Sequence, residues 1–199
     1  MSVSPPEYVA VWPDDEPSVD ITNKTLFTWR PEARELGAGA KATPEDLVAL
    51  AQTGFLDEIR LLRIDEWAKK LTVIPGLPAV TSSLMSVLIE SPKFDGWESL
   101  YALEHLEELT IGEKVTQVPD GLGRLKGLKR LAIKGRRIKT LPGDLATLPA
   151  LTHLTIVNAG IASLPEGLGA LPLEELQLSW TRKLKALPES LGECATLRA

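Results

Sequence analysis

A triplet of aliphatic residues returns along this chain at a nearly constant step. Leu106, Leu109 and Ile111 are spaced LxxLxI, and the pattern recurs at Leu128/Leu131/Ile133, Leu151/Leu154/Ile156 and Leu173/Leu176/Leu178, at steps of 22, 23 and 22 residues. Each triplet is followed by Val-Pro or Leu-Pro (Val118-Pro119, Leu141-Pro142, Leu164-Pro165, Leu187-Pro188). A further apolar pair comes next, such as Leu122/Leu125, Leu145/Leu148 or Leu168/Leu171. Upstream, Leu84, Val87 and Ile89 stand 22 residues before the first clear triplet. Ile59, Leu62 and Ile64 stand 25 residues earlier still, with Ile74-Pro75 in the expected place. That makes six repeats, the first two more degenerate. Alternation inside LxxLxI sends the leucines inward and the intervening residues outward, as in any strand. One unit of this length cannot bury its leucines alone, so neighbours must stack into a parallel sheet with a shared core. The proline ends the extended segment. Asp120, Asp144, Glu166 and Glu189 then fall at or near the starts of short helical turns, where negative charge is favoured.

These residues resemble the leucine-rich-repeat family in its Leu-Pro-containing form, as in bacterial effectors and plant immune receptors. The resemblance covers residues 59–199. It implies an α/β solenoid, a right-handed superhelix with a parallel concave sheet and short helical or irregular convex segments, behind an N-terminal α/β cap. One departure concerns the asparagine usual three residues after the third apolar position, where its side chain bonds the turn backbone. Lys114, Arg136, Ala159 and Thr181 occupy those positions, so the side-chain ladder is absent and the resemblance does not fix the shape of the loop after each strand.

The first 58 residues form the expected cap region. They hold 11 acidic and 4 basic residues, a net of -7, whereas the remainder holds 16 and 18, a net of +2. Thr43-Pro44-Glu45-Asp46 reads as a helix start, with Leu47, Val48, Leu50 and Ala51 as its apolar face and Gly54 as its stop, giving a helix over about 44–53. This helix is expected to cover the open edge of the first repeat. Tyr8–Trp12 and Thr25–Trp29 are short strand candidates around a Pro- and Asp-rich turn at 13–17, and a hairpin between them is the expectation. Residues 1–6 read as disordered. At the other end, Leu197-Arg198-Ala199 looks like the opening of an unfinished seventh triplet, which favours a fragment of a longer protein over a second chain covering that edge.

Composition narrows the function. A net charge of -5 argues against non-specific nucleic-acid binding. One cysteine, Cys194, permits no intrachain disulfide, which favours a reducing compartment. No signal peptide and no stretch of membrane-spanning length appear. The expected place of work is the cytoplasm, or a host cytoplasm reached without a cleavable signal. Catalysis finds no support: His105, His153 and Cys194 form no nucleophile or metal spacing, and no phosphate-cradling glycine loop is present. No cofactor and no enzyme activity are expected.

The outward residues of successive strands should align in columns. One runs Leu61, Ser86, Glu108, Arg130, His153, Glu175; the next Arg63, Leu88, Thr110, Ala132, Thr155, Gln177; the third Asp65, Glu90, Gly112, Lys134, Val157, Ser179. Mixed charge with small and apolar groups suits a specific protein partner, although solvation alone would explain any one of these residues. Trp180, just past the last strand, is either an interface anchor or a ring packed over the neighbouring loop; Trp67 poses the same choice. The segment 124–139 carries Arg124, Lys126, Lys129, Arg130, Lys134, Arg136, Arg137 and Lys139. It reads as a phosphate or acidic-partner site, or as bases paired internally with Glu104, Glu107, Glu108 and Glu113. Internal pairing is favoured because no aromatic residue interleaves with the bases. The leading function is a protein–protein interaction module reading its partner with the concave strands. The alternatives are the substrate-recognition part of a larger bacterial effector enzyme, for example a ubiquitin ligase, and a structural unit that self-associates through its C-terminal edge. No nucleic-acid or membrane partner is expected.

Overall fold

The computed structural model describes residues 9–11, 27–31, 34–66, 68–75 and 82–198. Trp67, the segments 1–6 and 13–17, and Ala199 therefore lie outside the described residues. The chain divides into two compact units, 1–105 and 106–199. Within each, the strands lie side by side in chain order.

In the first unit, β1 (Val9–Val11) runs parallel to β2 (Phe27–Arg30), with Val9 opposite Phe27. This corrects the expected hairpin between Tyr8–Trp12 and Thr25–Trp29. A tight hairpin turn joins only antiparallel strands, and β1 and β2 run in the same direction. The hairpin that does form joins β2 to β3 (Glu35–Ala38), with Phe27 opposite Ala38 and Trp29 opposite Leu36. In turn, β3 pairs in parallel with β4 (Leu61–Ile64), so the backbone edge of the first repeat is covered by a strand and not by the helix. That too corrects the expectation: an unpaired row of N–H and C=O groups is satisfied by a strand ladder, which a helix cannot offer. β5 (Ser86–Ile89) continues the parallel order, with Val87 beside Leu62 and Ile89 beside Ile64.

The helix α1 (Pro44–Gln52) starts as its sequence dictates. The Thr43 hydroxyl accepts from the Asp46 N–H at 3.3 Å, and the Thr43 N–H donates to the Asp46 carboxylate at 2.9 Å, a closed capping box. Pro44 stands at the first helical position and Gly54, at φ 76°, follows the C-cap Thr53. Leu47 and Leu50 are buried beneath it with Leu36, Leu62 and Phe55, and the Trp29 ring meets Phe55 edge to face at 5.1 Å. A short helix α2 (Trp97–Tyr101) sets the Trp97 ring edge to face with Phe94 at 5.4 Å and tilted against Tyr101 at 6.2 Å.

The second unit shows the repeat in its regular form. β6 (Glu108–Ile111), β7 (Arg130–Lys134), β8 (His153–Val157) and β9 (Glu175–Ser179) follow one another, and the ladders β6–β7, β7–β8 and β8–β9 are parallel. Leu109, Ile111, Leu131, Ile133, Leu154 and Ile156 are all at most 1 % exposed, while the residues between them face out. Burying one such side chain contributes about 1.5–3 kcal/mol. In β9, Leu176 and Leu178 are only half-buried. On the opposite side of the core lie 3-10 turns at Leu122–Arg124, Gly143–Thr147, Glu166–Ala170 and Glu189–Glu193, the last three each introduced by extended proline. Asp144, Glu166 and Glu189 occupy first turns, and Asp120 stands just before the N-cap Gly121 of its turn, so all four lie at or near the starts as expected. Asp144 also reaches back one repeat, where its carboxylate accepts the N–H groups of Gly121 at 2.7 Å and Gly123 at 3.1 Å. Ser190 binds the preceding turn in a similar way, donating to the Glu166 carbonyl and accepting from the Gly169 N–H.

The loops after the strands hold without the asparagine ladder because consecutive loops bond backbone to backbone. Gly135 N–H donates to the Val157 carbonyl at 3.1 Å, Asn158 N–H to Ser179 at 2.8 Å, and Gly160 N–H to Ile138 at 2.9 Å.

Candidate functional site

Parallel pairing without a register slip fixes which side chains are neighbours on the solvent face. Glu108, Arg130, His153 and Glu175 lie opposite one another across β6–β9; so do Thr110, Ala132, Thr155 and Gln177; and Lys134, Val157 and Ser179 align across β7–β9. The structure thus sets the strand residues singled out from sequence in adjoining columns. Their charges are largely spent on each other. Arg130 Nη1 donates to Glu108 Oε1 at 2.5 Å and Lys129 Nζ to Glu107 Oε1 at 2.7 Å. His153 Nδ1 lies 2.8 Å from the Thr152 hydroxyl, and its Nε2 lies 4.0 Å from Glu175. Exposed pairs of this kind contribute about 0.2–1 kcal/mol each.

Beyond the ends of β7–β9 the chain carries a second surface. The residue two places after the third triplet position is in the left-handed backbone region in each of these repeats: Gly135 at φ 130°, Asn158 at φ 53° and Trp180 at φ 58°. Glycine and asparagine tolerate that conformation; an indole side chain on the same backbone is strained. Trp180 is nevertheless 69 % exposed, and the Arg182 guanidinium sits 5.6 Å from its ring centroid. The ring is not packed over a neighbouring loop. It borders a groove of about 570 Å³ whose other lining includes Arg136, Arg137, Lys139, Arg182 and Lys183. No acidic residue lines this groove, and among the described residues none of these five bases makes an ion pair. Lys139 Nζ folds back to donate to the Arg136 carbonyl at 3.1 Å, across Gly160. A Cβ on Gly160 would stand 2.6 Å from the Arg136 carbonyl oxygen, so only glycine lets the two loops approach this closely. Glu113 bounds the adjoining depression beside Arg136 and Arg137.

The internal-pairing reading of segment 124–139 therefore holds for Lys129 and Arg130 and fails for Arg136, Arg137 and Lys139. Sequence reasoning missed Arg182 and Lys183, which reach the groove from a later repeat. The signal available for them was their position: they follow Trp180 in the loop equivalent to 135–139. In the first unit, Glu35 is only 8 % exposed and lies between Arg63 at 2.7 Å and Arg30 at 3.7 Å, while Arg63 also meets Asp65 at 3.3 Å. Burial pushes the Asp65 carboxyl up from its ordinary value, against the opposing pull of Arg63 and Arg30. Cys194 is half-buried, with Sγ 3.6 Å from the Leu171 and Leu173 carbonyls. No cluster of three or more potential metal ligands occurs among the described residues, and no helix there is long and apolar enough to cross a membrane.

Solved structures share this architecture. The leucine-rich repeat domain of the type III effector XopL aligns with 84% of this chain, at 23% identity and a TM-score of 0.61. Internalin C2 of Listeria monocytogenes aligns with 82%, and with 78% of its own chain, at 21% identity and a TM-score of 0.51. This is a leucine-rich-repeat fold. The Arabidopsis receptor kinase HAESA, solved with the peptide hormone IDA and the co-receptor SERK1, aligns over 92% of this chain and 32% of its own, at 15% identity and a TM-score of 0.53. The chain spans 63% of the XopL domain. No family model matches the sequence, and no curated protein does. Within the leucine-rich-repeat frame, the columns are the strand face and the basic groove lies in the loops at the C-terminal ends of the strands.

Proposed function

We propose that this leucine-rich-repeat chain is a protein-recognition module, reading its partner with the concave strand face of residues 108–179 and the adjoining loops. The observation that carries this reading is the unbroken register of β6–β9. It turns Thr110, Ala132, Thr155 and Gln177, with Lys134, Val157 and Ser179 beside them, into one surface of small, polar and apolar groups. A surface so mixed offers shape and scattered hydrogen bonds, which suit a protein; a polyanion would call for a uniform basic track. Recognition is the whole task in this reading, with no bound cofactor and no chemistry of its own. HAESA, whose fold is similar, was solved with a peptide and a protein bound to it.

A photo-crosslinking residue placed at Thr155 or Gln177 tests it against one at Ala170, in the 3-10 turn on the other side of the core. Protein adducts should form at the two strand positions and disappear when Arg130, His153 and Glu175 are changed together to alanine. Equal adducts at Ala170, or adducts indifferent to the triple change, contradict the reading. A second reading, the substrate-recognition part of a larger effector enzyme, has the likeness to the XopL domain in its favour. It expects a further folded domain in the native gene product, which intact-mass measurement of that product reveals or denies.

A further inference from the structure

We infer that the groove between the loops 136–139, 158–160 and 180–183 receives a phosphorylated segment of a partner protein. This rests on reading the chain as a protein binder, and it adds a second, chemically distinct contact beside the strand face. Three independent features point to it. Arg136, Arg137, Lys139, Arg182 and Lys183 converge on one concavity of about 570 Å³ without a lining carboxylate. Like charges gathered in one place repel unless an anion joins them, and the register that neutralises Arg130 and Lys129 supplies no acid here. A phosphate brings about -1.5 to -2 charges and three acceptor oxygens, which two adjacent guanidinium groups and a lysine bind far better than they bind one carboxylate.

Trp180 is the second feature. The fold places a bulky ring at a left-handed position filled by glycine and asparagine in the two preceding repeats, and leaves it 69 % exposed. Backbone strain that contributes nothing to packing is a mark of binding sites. The ring walls the groove beside the bases, where it can cover the aliphatic or aromatic stem that carries a phosphate. The third feature is rigidity. Gly160 admits the close approach of the two loops, and backbone bonds from Asn158 and Gly160 tie them to their neighbours. The cations are thus presented on a supported frame.

The same features disfavour a nucleic acid. Single strands need a track of several stacking rings along a continuous basic path. Here one ring stands beside a bounded groove, Glu113 lies at one margin and Glu108 and Glu175 lie on the strand face. The volume suits a phosphorylated side chain and its immediate neighbours.

The test uses the full chain immobilised, with labelled seven-residue peptide pools carrying a central phosphoserine, phosphothreonine or phosphotyrosine between random flanks. Unphosphorylated pools, a thymidine oligonucleotide of equal charge, and vesicles of equal parts phosphatidylserine and phosphatidylcholine are run beside them. At least one phosphorylated pool should be retained about tenfold over its unphosphorylated twin, and over the oligonucleotide and the vesicles. Arg136→Ala with Arg137→Ala should abolish that preference. Trp180→Gly should weaken retention without lowering the melting temperature, which separates a lost contact from a lost fold. Arg130→Ala with His153→Ala and Glu175→Ala should leave the preference intact. The inference is overturned if no phosphorylated pool is preferred, if the oligonucleotide or vesicles bind better, if the preference survives the arginine changes, or if the strand-face changes remove it. Phosphopeptide preference without crosslinks from Thr155 or Gln177 would sink the strand-face reading and keep this site; crosslinks without the preference would do the reverse.

Discussion

On the strand face of residues 108–179, Arg130 meets Glu108 at 2.5 Å and Lys129, just before β7, meets Glu107 at 2.7 Å. A few residues further along the same repeat, Arg136, Arg137 and Lys139 stand beside a groove with no acid in its lining. The two surfaces are built from the same repeats, and the difference lies in register. A parallel ladder brings one chosen residue of each repeat against its counterpart, so acids in one repeat and bases in the next neutralise each other laterally. Loops are free of that constraint. Their lengths differ from repeat to repeat, so a charged side chain there need not meet a lateral partner. In a repeat protein, then, charged residues in strands say little about ligands until their lateral neighbours are known, whereas charged residues in the loops say more.

The comparison is broken outright by removing the core that enforces register. Leu154, 0 % exposed in β8, should cost about 2–5 kcal/mol when changed to alanine, read as a lower urea midpoint, and both surfaces should lose their function together. The loop surface is tested next, through its strain. Trp180→Gly should be more stable than Trp180→Ala by about 1 kcal/mol, because only glycine adopts φ 58° freely, and paired thermal melts read the difference. On the strand face, a double-mutant cycle on Glu108 and Arg130 should give a coupling of about 0.2–1 kcal/mol that fades with added salt. The corresponding cycle on Glu113 and Arg137, which make no ion pair in this structure, should give a smaller value.

The smallest effect lies in the first unit, where Glu35 and Asp65 are paired with Arg30 and Arg63. The Asp65 carboxyl holds its proton more tightly in the folded chain than in the unfolded one, because burial raises it above its ordinary 3.8. Its stabilising contribution is therefore full below that value and is lost as pH rises through the folded-state value. Asp65→Asn should flatten the pH dependence of the melting temperature across that window. An unchanged profile would mean that Arg63 and Arg30 offset the burial completely.

Much of the fold was legible because the repeat states its own geometry. The LxxLxI triplets mark β6–β9 and the inward leucines directly, and Thr43-Pro44-Glu45-Asp46 marks α1 by local hydrogen bonding alone. The parallel pairing of β1 with β2, and β3 as a whole, were not legible. Glu35–Ala38 has no strong strand propensity, and what holds it is pairing on both sides, with β2 and β4. The groove was half legible. Its arginines stand in a visible basic run, but the aromatic residue missing from that run arrives from Trp180, two repeats further along the chain. A linear scan for bases interleaved with rings cannot see a neighbour supplied by stacking.

The most direct test of the contrast between the two surfaces is to titrate the chain with inorganic phosphate and follow its backbone amide resonances. Shifts confined to residues 136–139, 158–160 and 180–183, with Arg130, His153 and Glu175 unmoved, are the predicted result. Shifts centred on the strand face, or spread evenly over the basic residues of both surfaces, would contradict it.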